Sequence, residues 1–298
     1  MTFSQRLAQT ASMVEARLAE FLDAAAAGGA PTRLVAAMRH GALGGGKRLR
    51  PFLVVECAGL FGAPPGVALQ TAAALECVHC YSLVHDDLPA MDSDDWRRGK
   101  PTVHKAYDEW TAILAGDALL TLAFAQLARP ETHADAAVRA ELIAGLAQAA
   151  GAGGMVGGQS LDLEFDKLGH PAKPPQAHVE RLQAMKTGAL IRFACEAGAI
   201  LGRAEPGGRR ALVGYGERLG MAFQIADDLL DLEGEPAAMG KAARKDAGKA
   251  TLVSLLGPQA AKQRLAALEA EAIAALAPFG AAADGLREGA AFVVRRES

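Results

Sequence analysis

Three carboxylates fall within seven residues in the stretch Asp86-Asp87-Leu88-Pro89-Ala90-Met91-Asp92, directly after an apolar run, Leu75 to Val84, whose periodicity predicts a buried helix. Like charges at that density repel, and the usual relief is a hard divalent cation or a ring of Lys and Arg. Arg97, Arg98 and Lys100 follow closely, and a second cluster, Asp227-Asp228-Leu229-Leu230-Asp231, lies far downstream. Asp227 and Asp231 are four apart, so a helix projects them from nearly one face. Asp86 and Asp92 are six apart and would diverge on a continuous helix. Pro89 breaks that helix, so an irregular turn after Leu88 is predicted to swing Asp92 back toward Asp86.

Carboxylate clusters facing one another from two helices would suit hard divalent ions. Mg²⁺ takes one or two carboxylates, keeps waters and completes its shell with phosphate oxygens. The neighbouring cations imply a substrate more negative than one phosphate, or two phosphorylated substrates at once. Further cations follow the glycines of Gly44-Gly45-Gly46-Lys47-Arg48-Leu49-Arg50-Pro51, which reads either as a phosphate-binding loop, though not a Walker loop, or as a flexible linker with solvated charges. His79 lies seven residues before Asp86 on the same helical face, as a core residue or as part of the site.

These residues must be positioned by helices. The 298-residue chain is 51% apolar but only 5% aromatic, and its wealth of Ala and Leu favours an all-α bundle, read as a single domain over 1–298. No convincing strand and no fixed-period repeat are visible. A net charge of -3 gives no reason to expect nucleic acid. Met1 to Leu22 reads as an amphipathic helix and not a signal peptide. Thr111 to Ala128 approaches the length of a membrane span but is read as the buried central helix of the bundle, with Asp117 a hydrogen-bonded core carboxylate. Stable membrane association is not expected. Cys57, Cys77, Cys80 and Cys195 read as reduced core thiols of a cytoplasmic protein, because the Cys77–Cys80 spacing has no second pair to make a zinc site.

Other helices are predicted over Thr32 to Gly41, Pro51 to Phe61 and Ala136 to Ala150. One from Gln176 carries Lys186-Thr187-Gly188, and one from Arg209 carries Phe223-Gln224 into the second cluster. Thr251 to Ala277 and Ala282 to Arg296 close the chain.

Taken jointly, Gly45 to Pro51, Asp86 to Asp92, Arg97-Arg98-Gly99, Gly157-Gly158-Gln159, Lys186-Thr187-Gly188 and Phe223-Gln224 to Asp231 resemble the trans-isoprenyl diphosphate synthases, in the family's order and over essentially the whole chain. The bacterial farnesyl diphosphate synthases are the most similar branch. The resemblance implies a helical bundle, usually a homodimer, with the two aspartate motifs facing across a deep pocket. It implies Asp86 and Asp92 as ligands of two Mg²⁺ and Asp227 of a third, Mn²⁺ being possible, with Asp87, Asp228 and Asp231 supporting the metal waters. The allylic diphosphate would be held with the help of Arg97, Lys186 and Lys241. Isopentenyl diphosphate, bound without metal, would meet Lys47, Arg50, His79 and Arg98, and Arg295 and Arg296 would help close that site.

Diphosphate would then leave as the allylic carbon ionises, its charge stabilised by metals and fixed cations. Thr187 and Gln224 would stabilise the carbocation while isopentenyl diphosphate attacks, and the released diphosphate would take the final proton. Tyr81, five residues before Asp86, would sit about 7.5 Å deeper along the helix. There it is either a floor that stops growth at the fifteen-carbon product or ordinary core, and ten- and twenty-carbon products are the competitors. A terpene cyclase would need no second diphosphate site, and a regulatory subunit would lack an aspartate motif.

Overall fold

The computed structural model describes residues 1–169, 171, 174–233 and 251–295. The chain divides into two compact units, residues 1–55 with 63–143 and residues 56–62 with 144–298. Its elements are almost all helical, as the composition predicts.

In the first unit, α1 (Phe3–Ala27) buries Leu7, Thr10, Val14, Leu18, Phe21 and Leu22, the three-and-four spacing of one helical face. Thr2 starts it with a capping box: the Gln5 backbone N–H donates to Thr2 Oγ1 at 3.3 Å, and the Thr2 N–H donates to Gln5 Oε1 at 2.9 Å. α2 (Thr32–Ala42) and the start of α3 (Leu49–Gly59) follow. α4 (Pro65–Asp86) is buried nearly all round, from Ala68 to Val84. It packs most extensively on α6 (Glu109–Ala128) and also meets α1 and α2. The short α5 (Val103–Ala106) leads into α6.

The central buried helix is therefore α4 and not α6. α6 buries Ala112, Ala115, Gly116, Leu119 and Ala123 on one side, while Trp110, Ile113, Leu114 and Asp117 are exposed on the other. Asp117 is correspondingly no core carboxylate; its side chain is 59% exposed and lies 3.9 Å from His85 Nε2. Both helices are long and apolar enough to cross a membrane, as is a sharply bent pair spanning Pro258–Val294 if counted as one span. The apolar window of α4 is 72% buried within the protein and that of α6 44%.

A small departure from the all-helical expectation is the two-residue pair β1 (Trp96–Arg97) and β2 (Lys100–Pro101), antiparallel in the register Trp96–Pro101 and Arg97–Lys100. Arg98 (φ 52°) and Gly99 (φ 74°) form its turn, the two-positive-φ geometry of a tight hairpin.

In the second unit, α7 (Ala136–Ala150, whose first residues belong to unit one) and α8 (Met155–Leu168) precede α9 (Gln176–Gln183). α9 passes through one π-helical turn, Ala184–Gly188, into α10 (Ala189–Leu201). α11 (Pro206–Glu233) packs on α10 and on α13 (Pro258–Ala275). Tyr215 on α11 is fully buried and donates to Leu286 O at 2.7 Å. The predicted helix from Thr251 is split: α12 (Leu252–Leu256) ends at Gly257, whose φ of 81° no helix interior accepts. A 3₁₀ segment, Ala277–Ala283, and α14 (Asp284–Val294) end the described chain.

Candidate functional site

α4 ends at Asp86, and the chain then folds back as Pro89 predicts. The Leu88 N–H donates to His85 O at 3.1 Å, the Asp92 N–H donates to Asp86 O at 2.8 Å, and the Asp94 N–H donates to Asp87 O at 3.1 Å. Asp86 and Asp92 come out half-buried on one turn. Asp87, between them, is buried and faces a different partner. Arg97 donates to it from Nε at 2.8 and 3.0 Å and from Nη2 at 2.6 Å, a forked pair. Burial pushes the Asp87 carboxyl above its ordinary value against the pull of Arg97, whereas the half-buried Arg97, against the pull of burial, is held more firmly protonated by Asp87 and Asp94. In this arrangement Arg97, expected on a diphosphate, braces the acidic turn.

His85 fixes the end of α4 to α6. Its Nε2 lies 3.0 Å from Ile113 O, and a Cβ on Gly116 would stand 2.0 Å from the same nitrogen. Only glycine at 116 admits the ring. Sequence reasoning gave His85 no role, because its partner lies on another helix.

The basic residues of the same unit converge as well. Arg50 Nη1 lies 3.4 Å from His79 Nε2, Arg98 Nη1 donates to Gly45 O at 2.5 Å, and Lys47 is exposed on the loop. Burial first, then the charges of Arg50, Arg98, Arg48 and Arg97, push the His79 imidazole well below its ordinary value. Arg50 is lowered by burial and by Arg98, with Glu76 opposing. Arg50 and Arg98 thus bring positive charge close to His79. The middle cation of the loop is different: Arg48 is buried and paired with Glu76 and Glu15, each at 2.6 Å. It is therefore not one of three solvated charges.

A pH dependence follows. The unfolded chain binds a proton on His79 near pH 6.5 and the folded chain only at lower pH, so the unfolded state holds more protons in that window. Stability should fall as pH drops through about 6.5. Urea midpoints at several pH values should show this slope in the native sequence and a flatter one in His79→Gln. Equal slopes would contradict a neutral, cation-flanked His79.

In the second unit, the π turn carries Lys186 and Thr187. Such single wide turns inside helices recur at functional sites. Lys186 Nζ donates to Asp162 Oδ2 at 2.6 Å. Thr187 Oγ1 donates to Gln224 Oε1 at 3.0 Å, and Gln224 Nε2 donates to Asp228 Oδ1 at 3.0 Å. Gln183 Nε2 donates to the other Asp228 oxygen at 2.9 Å. Asp228 thus holds two amides, while Asp227 is half-buried and Asp231 exposed on the same helix. Gly158 lets α8 reach the π turn, since a Cβ there would stand 2.2 Å from the Lys186 backbone nitrogen. Asp162 and Gln183 are the partners the spacing did not reveal.

Lys241 and Arg296 lie outside the described residues, and Arg295 is exposed at the end of α14. The four cysteines are free and buried, as expected, and burial pushes the Cys80 thiol up to about 12. Among the described residues no group of three His, Cys, Asp or Glu gathers as a metal cage. The donor set fits Mg²⁺ all the same: paired carboxylates supply hard oxygens, and substrate phosphates and water supply the rest.

Known proteins agree with these features. The polyprenyl synthetase family matches residues 31–275. A protein named farnesyl diphosphate synthase from Escherichia coli is 47% identical over 239 residues, 78% of each chain. One of the same name from Haemophilus influenzae is 41% identical over 306 residues, 99% of each. The crystal structure of an FPP/GFPP synthase from Zymomonas mobilis superposes with a TM-score of 0.87 at 46% identity, covering 98% of both chains. With a family match that takes in the glycine loop, both aspartate clusters and the lysine-bearing π turn, this chain belongs to the polyprenyl synthetases.

Proposed function

We propose that the protein is a prenyltransferase that joins an allylic diphosphate, dimethylallyl or geranyl, head-to-tail to isopentenyl diphosphate and makes farnesyl diphosphate. The observation that carries this reading is the pairing within one unit of an acidic turn, Asp86 to Asp92, with a basic cluster in which Arg50 and Arg98 flank a neutral His79. One suits a diphosphate bound through divalent ions and the other a diphosphate bound directly. A terpene cyclase needs only the first.

In the first unit Asp86 and Asp92 would hold Mg²⁺, with Asp87 shaping their surroundings, and in the second unit Asp227 would be a Mg²⁺ ligand, with Asp231 beside it. Mg²⁺, when bound, neutralises the diphosphate and eases its departure. Lys186 and Lys241 would hold the oxygens of that leaving group, while Arg97, forked onto Asp87, keeps the acidic turn in place. The Thr187 hydroxyl and Gln224 amide oxygens, already joined at 3.0 Å, face the allylic cation with their negative ends. Lys47, Arg50, His79 and Arg98 orient isopentenyl diphosphate so that its double bond attacks, and the departed diphosphate accepts the proton that restores the alkene.

The family match crosses both units, which supports reading 1–298 as one synthase domain. The exposed apolar face of α6, Trp110, Ile113 and Leu114, supports a homodimer, whose mass in sedimentation would be twice 30.8 kDa. A cytoplasmic location agrees with the free buried thiols.

Incubation with Mg²⁺, dimethylallyl diphosphate and isopentenyl diphosphate, followed by chromatography, tests the assignment. A linear fifteen-carbon diphosphate is expected. A cyclic hydrocarbon, or no product, would overturn it.

A further inference from the structure

The glycine loop is held in an unfavourable backbone conformation by a buried ion pair. Gly44, Gly45 and Gly46 have φ of 125°, 96° and 116°, and Arg48, which has a Cβ, still sits at 49°. A residue keeps such a conformation only where its surroundings over-determine it. Arg48 Nη1 donates to Glu76 Oε1 at 2.6 Å, and Nη2 donates to Glu15 Oε2 at 2.6 Å and to Ala42 O at 2.7 Å. The second Glu15 oxygen accepts from the Gly44 N–H, also at 2.6 Å. One carboxylate on α1 therefore grips both ends of the glycine run. Glu76 fixes the same guanidinium to α4 one turn before His79, and the result seats Arg50 against His79 at 3.4 Å.

We infer that Glu15, Arg48 and Glu76 form the positioning device of the metal-free diphosphate site, setting Lys47 and Arg50 in register with His79 and Arg98 without touching substrate. This rests on the reading above of those four residues as the isopentenyl diphosphate site. Global stability is a poor explanation for the arrangement, since a buried ion pair roughly breaks even against apolar side chains of similar size. A buried, doubly clamped Arg between the exposed Lys47 and the half-buried Arg50 instead fixes where those two cations lie.

Glu15 is the residue to change, because it is only half-buried and its loss leaves the Arg48–Glu76 pair intact. Glu15→Ala, Glu15→Gln and the native protein are titrated with inorganic pyrophosphate in EDTA, where metal-dependent sites are silent, and then assayed with both substrates. Glu15→Ala is expected to weaken pyrophosphate about tenfold and to raise KM for isopentenyl diphosphate alike, with kcat and the allylic KM within about twofold. Glu15→Gln, which keeps an acceptor for the Gly44 N–H, should recover most of the loss. Unchanged pyrophosphate affinity, or equal rises in both KM values with a lowered unfolding midpoint, would overturn the inference. A native protein that binds pyrophosphate but makes no prenyl product would overturn the functional reading and leave the device standing.

Discussion

Asp86→Ala is expected to fold normally and to lose condensation activity by at least about 10³-fold. Asp86 is the last residue of α4, at the negative end of that helix's dipole, with Asp87, Asp92 and Asp94 on the same turn. A carboxylate is poorly placed there on stability grounds. Removing it relieves repulsion, and the unfolding free energy should change by less than about 1 kcal/mol. The Asp92 N–H bonds the Asp86 backbone oxygen, so the turn survives loss of the side chain. On the proposed assignment, what would disappear is a hard oxygen donor for the ions that neutralise the leaving diphosphate. Activity and urea midpoint should therefore separate. Near-normal turnover would remove Asp86 from the metal assignment.

Tyr81→Ala is expected to shift the product from fifteen carbons to longer chains. Tyr81 is 6% exposed, and its ring meets His85 edge-on, centroids 5.7 Å apart at 81°. His85 is in turn held at Ile113 O over Gly116, so the ring cannot easily swing aside. The helical rise puts it about 7.5 Å from Asp86 along α4, on the scale of a few isoprenyl carbons. Truncation would open that length at a cost of about 3 kcal/mol in stability, while Tyr81→Phe should keep the original product. An unchanged product profile from the alanine variant would return Tyr81 to ordinary core.

The parts of the fold that were legible in sequence are those fixed by local rules. Periodicity located most helices, and Pro89 located the turn that returns Asp92 to Asp86. The swap of α4 and α6 was hidden because neither helix separates an apolar side from a polar one, and hydropathy does not tell a face that meets a neighbour from one that meets solvent. Asp87 beside Asp86, and Arg48 between Lys47 and Arg50, are the same kinds of residue as their neighbours. Only tertiary partners, Arg97 for the first and Glu15 with Glu76 for the second, separate their roles. The π turn under Lys186 and Thr187 adds one residue to a helical repeat without any composition signal, and its framing by Gly158 on α8 emerges only when the helices are packed.

The central claim is that the allylic diphosphate is taken through divalent ions, for which Asp86 and Asp92 in the first unit and Asp227 in the second are the proposed ligands. Its most direct test is calorimetric titration with dimethylallyl S-thiolodiphosphate, which binds but does not ionise readily, with Mg²⁺ present and with EDTA. Binding should require Mg²⁺ in the native protein and weaken at least about 100-fold in Asp86→Ala and Asp227→Ala alike. Equal affinity with and without Mg²⁺, or native affinity in both variants, would contradict the account.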